Sequence, residues 1–482
     1  MQNFWESSVW GFFNIFALIL VSLLVANALK QAIKPLKNSL IPTSVLGGIL
    51  LFIIATIYKS VTDEVLFDVD FFAGTGSAYL EMITYHALAL GFIASSLKSS
   101  KRKLTRKRMT SILNTGVTTV STYLLQGSIG LAVTIIAGLF VSGIFEASGI
   151  LLAFGYGQGT GQAMNYGLIY ENQGFVGGKS FGLTVAAIGF LCASIGGVIH
   201  LNILRHTGKL KVTEKHEETI TMEDVQAAND IPMQESVDKL SIQLALITLS
   251  YMGAFLLMYF IGNALEGMKS LIYGFNFLLG VISATVVKLT LRVLKKMNIV
   301  KKDYTNNFLL TRTSNFFFDI MVVAGIAAIR LDLIEDYIGV LIILCAIGMI
   351  VTYVYNRIVA KVLFKNYPEE QFLGMYGMLT GTASTGIILL REIDGDFKTP
   401  VANNMVYQNF PAIILGFPMM FLANFCPKNP VLTMIILIAM FVALNILLFR
   451  RQIFGKIVKF EDDGGDPKFE QDEMAEVAEN AN

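Results

Sequence analysis

Histidine and cysteine are scarce in this chain: its 482 residues hold four of the first and three of the second. With no His pair at metal-ligand spacing, a His-based metal site is not expected. Cys192 and Cys345 lie within apolar runs, and with Cys426 they give neither a disulfide framework nor a thiolate metal site; all three read as packing residues. Charge is scarce too, at 15% Asp, Glu, Lys and Arg, against about 25% for a soluble domain. There is no Gly-rich P-loop ending in Lys-Ser/Thr. Thr382-Ala383-Ser384-Thr385-Gly386 misses the nucleophile-elbow pattern at its first glycine and has no strand pattern beside it. The chain does not read as an enzyme, and nothing in it points to nucleic acid. Without a nucleotide motif, any transport would run on an ion gradient or on diffusion.

What is abundant is apolar. Hydrophobic residues make up 54% of the chain and the mean hydropathy is +0.60. A span needs about 20 mostly apolar residues, because unpaired backbone is too costly in hydrocarbon. About eleven such runs are present, near 9–28, 41–59, 77–97, 112–141, 180–204, 240–261, 270–293, 308–329, 337–360, 402–424 and 431–449. The fold class is an all-α polytopic membrane protein. The N-terminal segment lacks a basic n-region and a small-residue cleavage site, so its apolar run is expected to be a retained helix.

Two Gly-rich stretches interrupt the apolar pattern: 151–175, LLAFGYGQGTGQAMNYGLIYENQGF, and 371–395, QFLGMYGMLTGTASTGIILLREIDG. Each has an apolar lead-in, a Gly-rich break and a helix-like segment with polar residues. Basic segments after the first, third, fifth, seventh and last runs fall on one face if the N-terminus is outside, the C-terminus is cytoplasmic, and each Gly-rich stretch enters and leaves by one side. This parity gives two inverted-topology repeats of about five spans, each with a re-entrant hairpin: 1–204 with hairpin 151–175, and 240–425 with hairpin 371–395. A cytoplasmic linker at 205–239, with a helix-start spacing from Thr221 to Asp224, joins them. An extra C-terminal helix at 431–449 and an acidic cytoplasmic tail at 450–482 follow. Inverted repeats with interrupted elements point to a secondary transporter whose site lies between the hairpins near mid-bilayer.

A helix broken inside the membrane exposes N–H groups at one half-helix start, which attract anions, and carbonyls at the other end, which can coordinate a cation. Around the breaks, Gln158, Thr160, Gln162 and Asn165 in the first hairpin and Thr380, Thr382, Ser384 and Thr385 in the second supply hydroxyls and amides. Gly-rich sequence also serves plain helix packing, and the matched pair of stretches favours binding. Arg391 has the bidentate geometry to grip a carboxylate; pairing with Glu392 or a head group is the other reading. Asp319, midway along its run, reads either as a cation- or substrate-facing group or as a structural partner of Ser, Thr or Arg. Glu81 reads as interfacial or functional, and His86 as a hydrogen-bonded packing residue. Asn403, Asn404 and Gln408 put neutral amides in a span, and Asn404 joins Asp319, Thr160, Thr380 and Thr382 as an expected cation-binding group.

GYGQGTGQAMNYGLIYE (155–171) and GMLTGTASTGIILLREID (377–394) resemble the two Gly-rich signature hairpins of the bacterial sodium/glutamate symporter family, and the order of spans extends the likeness over roughly 10–425. Ser384-Thr385-Gly386 and Arg391-Glu392 depart from its better-known members and set this chain in a divergent branch. The resemblance implies a homodimer in the bacterial inner membrane, with a scaffold part and a transport part that carries the hairpins in an elevator motion. It also implies that Gln158, Thr160, Gln162, Thr382, Ser384 and Thr385 contact the amino acid and the co-transported sodium ion. The expected function is sodium-coupled uptake of glutamate or a related acidic amino acid. A proton-coupled or exchange transporter of a dicarboxylate, and a membrane amino-acid sensor or channel, are the alternatives.

Overall fold

The computed structural model describes residues 3–98, 106–208, 232, 237–395 and 398–454. Most of the expected 205–239 linker, including the Thr221–Asp224 spacing, and the acidic tail beyond Phe454 lie outside the described residues. The elements are helices: α1 Ser7–Ala32, α2 Thr43–Thr62, α3 Gly76–Leu97, α4 Arg106–Phe140, α5 Leu151–Glu171, α6 Gly178–His206, α7 Lys239–Ala264, α8 Asn276–Lys296, α9 Asn307–Ala327, α10 Ile338–Leu363, α11 Pro368–Thr380, α12 Ala383–Arg391, α13 Val401–Tyr407, α14 Asn409–Phe425 and α15 Pro430–Leu448. Among the described residues, eleven helical segments are long and apolar enough to cross a membrane, and they coincide with the eleven apolar runs of the sequence.

Local chemistry sets where several helices begin. Asp238 accepts from the Leu240 N–H at the start of α7, Asn306 from Leu309 at α9, and Asn429 from Leu432 at α15. Each side chain satisfies one of the backbone donors that a helix start leaves without a partner. Two boundaries differ from the sequence pattern. The seventh run is divided, with a short helix Lys269–Gly274 before α8, and the tenth divides at Gln408 into α13 and α14.

The chain forms two compact units. The first contains α3 and α7–α9 with the first part of α1 and the later part of α2. Its centre is the pairing of α3 with α9. Gly91 lets the Phe318 ring lie on α3, where a methyl group would stand 2.7 Å from the ring, and Ser314 donates to the Gly91 carbonyl at 2.9 Å. Ile93, Ala94, Leu97, Leu246, Ile247, Ala284 and Leu310 form its apolar core.

The second unit contains α4–α6 and α10–α15. Helix α4 runs through it and touches α5, α10, α14 and α15. One face of α4 is a buried polar stripe of Thr115, Thr118, Thr119, Thr122 and Gln126, at the three- and four-residue spacing that aligns side chains on one side of a helix. The threonines donate back to carbonyls one turn earlier, as in Thr118 to Asn114 and Thr122 to Thr118, which makes hydroxyls tolerable inside an apolar bundle.

Candidate functional site

Both Gly-rich stretches are helix–break–helix hairpins, and both lie in the second unit. In α5 the break is Gly159, at φ 79° and ψ −172°, a backbone conformation open in practice only to glycine. Phe154 and Tyr166, on either side of it, stack with centroids 3.8 Å apart, whereas an unbroken helix would separate them by about 18 Å. Farther from the tip, Phe145 packs on Tyr170 and stacks on Phe175. The chain therefore runs up to Gly159 and returns.

The second hairpin reverses between Thr380 and Ala383. Its arms, α11 and α12, approach so closely at Gly377 and Gly386 that a methyl on Gly377 would stand 2.8 Å from the Gly386 Cα. Thr382 caps α12 by accepting from the Thr385 N–H at 3.3 Å.

Helix α6 shows how the hairpins are arranged. The base of the first hairpin packs at the start of α6, Gly167 against Gly178, with Ala163 against Gly182 nearer its tip. The second meets the other end: Tyr376 donates to the Cys192 carbonyl at 2.9 Å, and Glu369, at its base, meets His200. The two hairpins thus point at one another from opposite ends of α6. Their tips meet, with Thr382 Cγ2 lying 3.9 Å from where a Cβ on Gly159 would be.

Carbonyls at the ends of the leading half-helices are held by α4. Tyr123 donates its hydroxyl to the Gly157 carbonyl at 3.0 Å, and the Gln126 amide nitrogen donates to the Leu379 carbonyl at 2.8 Å. Gln126 also reaches Thr352 on α10 at 2.9 Å, and Asn356 on α10 reaches back to Thr122 at 3.4 Å and to the Thr352 carbonyl at 3.0 Å. The pattern is reciprocal: on each helix a threonine is followed four residues later by an amide that donates to the other helix's threonine. Because a backbone carbonyl only accepts, these bonds fix which end of each amide is nitrogen. The oxygens Gln126 Oε1 and Asn356 Oδ1 are buried and accept no hydrogen bond among the described residues, nor do Asn404 Oδ1 and Gln408 Oε1. Such unsatisfied groups cost about 1–3 kcal/mol each, and carbonyl-type oxygens are the ligands that hard cations take.

The expected site residues fall into three groups. Gln158, Thr160, Thr380, Thr382, Ser384 and Thr385 gather at the two breaks. Thr160, Thr380 and Thr385 are fully buried, Gln158 and Thr382 half-buried, and Ser384 exposed. Gln162 and Asn165 follow on the returning arm of the first hairpin, buried and 3.4 Å from each other, with Gln162 Nε2 meeting no acceptor among the described residues. Asn404 and Arg391 stand away from the tips: Asn404 donates to Ser111, which also meets Tyr367 at the base of the second hairpin. Arg391 closes α12, about 12 Å along its axis from Ala383. Asp319 and Glu81 belong to the first unit, Asp319 exposed on α9 and Glu81 half-buried on α3. His86 lies 2.6 Å from the Tyr251 hydroxyl, the packing arrangement expected of it.

Sequence reasoning missed Tyr123, Gln126, Thr352 and Asn356, although the stripe on α4 was a signal. It also missed a charged cluster at the base of the second hairpin. Arg357 on α10 meets Glu369 through its two terminal guanidinium nitrogens, with Nη2 at 2.6 Å from Oε1. His200 bridges Glu369 at 2.9 Å and the Tyr353 hydroxyl at 2.7 Å, and Phe372 packs beneath the Arg357 guanidinium. Burial pushes the Glu369 carboxyl up, but the hydrogen bonds and charges of His200 and Arg357 outweigh it and bring it down to about 2.

Fold and site define a multi-pass helical membrane protein with two opposed broken-helix hairpins. No protein-family model matches the chain, and no curated protein matches it.

Proposed function

We propose that the protein is a secondary active transporter of the sodium/glutamate symporter type, coupling sodium entry to uptake of glutamate or a related acidic amino acid. The observation that carries this reading is the meeting of the two hairpin tips at Gly159 and Thr382, with two half-helix starts beside it. Backbone N–H groups at those starts bind the substrate carboxylates, since four donors at each start have no partner within the helix and the dipole favours negative charge there. Sodium, as cargo, is held by the Thr160, Thr380 and Thr382 oxygens and by the amide oxygens of Gln126 and Asn356. Asp319, in the other unit, is not part of this assignment.

The reciprocal bonds between α4 and α10 support the reading of the chain as two inverted repeats, in which these helices correspond. That both hairpins belong to one unit supports an elevator mechanism: the hairpin unit carries the cargo, and the other is the scaffold of a homodimer in the bacterial inner membrane, N-terminus outside and C-terminus cytoplasmic. A second reading, proton-coupled uptake of a dicarboxylate, is favoured by the Tyr353–His200–Glu369–Arg357 cluster.

Uptake of labelled L-glutamate into proteoliposomes separates them. The first reading expects accumulation under a sodium gradient and none when choline replaces sodium. Accumulation driven by a pH gradient alone, unchanged in choline, overturns it and selects the second.

A further inference from the structure

The first unit contains a cleft that the transport reading does not use. It has a volume of about 50 Å³ and is lined by Lys288, Leu291, Arg292 and Lys295 of α8 and by Val300, Lys302, Asp303, Tyr304 and Thr305 of the segment that follows. Lys288, Arg292 and Lys295 are spaced four and three residues apart, so they share one face of α8. Asn298 adopts the left-handed conformation at φ 57°, and the Ile299 and Val300 N–H groups return to the Leu294 carbonyl, closing the helix end and turning the chain back over that face. Gln243, buried on α7, pins the returning segment from both sides of its amide, donating to the Tyr304 carbonyl at 2.8 Å and accepting from the Asn306 N–H at 3.0 Å. The opposite wall is therefore built, not a loose tail.

Basic residues at the end of a membrane helix are common, and favourable contact with the helix dipole and with water accounts for most of them. Here the charges are not balanced locally. Four cationic side chains and one carboxylate line the cleft, a net charge of +3. The carboxylate, Asp303, is already paired with Lys295 at 2.6 Å. Lys288 spends two of its three donors on the Ser96 and Lys98 carbonyls, at 2.7 and 3.1 Å. Arg292 and Lys302 meet no carboxylate within ion-pair distance among the described residues.

We infer that this cleft binds a phosphate group, with Arg292 and Lys302 as its principal ligands and the third donor of Lys288 beside them. The apolar Leu291 and Val300 in the same lining, and the position of the cleft at the end of a membrane-length helix, match the phosphodiester of an anionic lipid head group. Basic pockets at the ends of transmembrane helices recognise such head groups by charge. A free phosphate offers the same chemistry.

The test is thermal unfolding of the full-length protein in detergent, titrated with phosphatidylglycerol, phosphatidylcholine or inorganic phosphate. Phosphatidylglycerol should raise Tm saturably, and Arg292→Gln with Lys302→Gln should raise its half-saturating concentration about 30-fold, given what each basic side chain contributes near an anionic surface. The lipid-free Tm should not change, since both side chains are exposed, and Arg292→Lys should retain most of the response. The same shift with inorganic phosphate assigns the site to a free anion, and its absence assigns it to the lipid. Equal responses to phosphatidylglycerol and phosphatidylcholine, or an unchanged response in the double variant, overturn the site.

Discussion

Phe154 and Tyr166 are twelve positions apart in one helical segment, yet their rings stack at 3.8 Å because the backbone reverses at Gly159. That reversal brings the first hairpin tip to Thr382, and the polar groups of both hairpins meet there. Replacing Gly159 with alanine should cost about 1–3 kcal/mol, because an L side chain is strained at this φ and ψ. Transport should fall at least ten-fold while the detergent-solubilised protein remains folded with a lowered Tm, as uptake and thermal unfolding would show. An Ala variant with unchanged uptake and Tm would contradict the break.

Gln126 and Asn356 should act on sodium more than on substrate. Gln126→Leu removes the donor to the Leu379 carbonyl and one unpartnered oxygen, and Asn356→Leu removes the other. Each should raise the sodium concentration for half-maximal uptake about ten-fold, equivalent to about 1.4 kcal/mol. The effect on stability should be smaller, about 0.6 kcal/mol, as for hydrogen bonds between membrane helices. A sodium titration of uptake and a melt of each variant check both values.

Glu369 makes a pH-dependent contribution. Its carboxyl is held at about 2 in the folded protein and has an unfolded value of about 4.3. Because the folded value is the lower one, the stabilisation is complete above pH 4.3 and is lost as pH falls from there through about 2. Glu369→Gln should flatten Tm against pH in that window. At neutral pH it should destabilise by about 3 kcal/mol, because the half-buried Arg357 charge loses its partner. A melt series from pH 2 to pH 7 compares the two proteins.

How much of this was legible in the sequence follows from the range of each interaction. The eleven spans were, since a run of apolar residues is a local property, and so were the two breaks, since Gly159 and Gly381 mark them in the chain itself. The halves of a split run were not read, although Pro411 cannot donate to the carbonyl of Tyr407, where α13 ends, and so marks the division in the sequence. The pairing of Gln126 with Thr352 and Leu379 joins residues more than two hundred positions apart, so a glutamine in an apolar run carried no sign of its partners. Likewise His200, Arg357 and Glu369 lie on three different helices, and only the fold brings them together. Arg391 shows the converse, since residue type nominated it and the fold places it about 12 Å along α12 from the tip, while Asp319 belongs to the other unit.

The proposed function makes the meeting tips an amino-acid site that requires sodium. Ser384 is exposed beside Thr382, and the three native cysteines are buried, so a Ser384→Cys variant gives a single reactive thiol at the tip. The measurement is its rate of labelling by a membrane-impermeant maleimide, with and without L-glutamate, in sodium and in choline. Glutamate should slow labelling in sodium and have no effect in choline. Equal rates in all four conditions, in a variant that still accumulates glutamate, would place the site elsewhere and contradict that proposal.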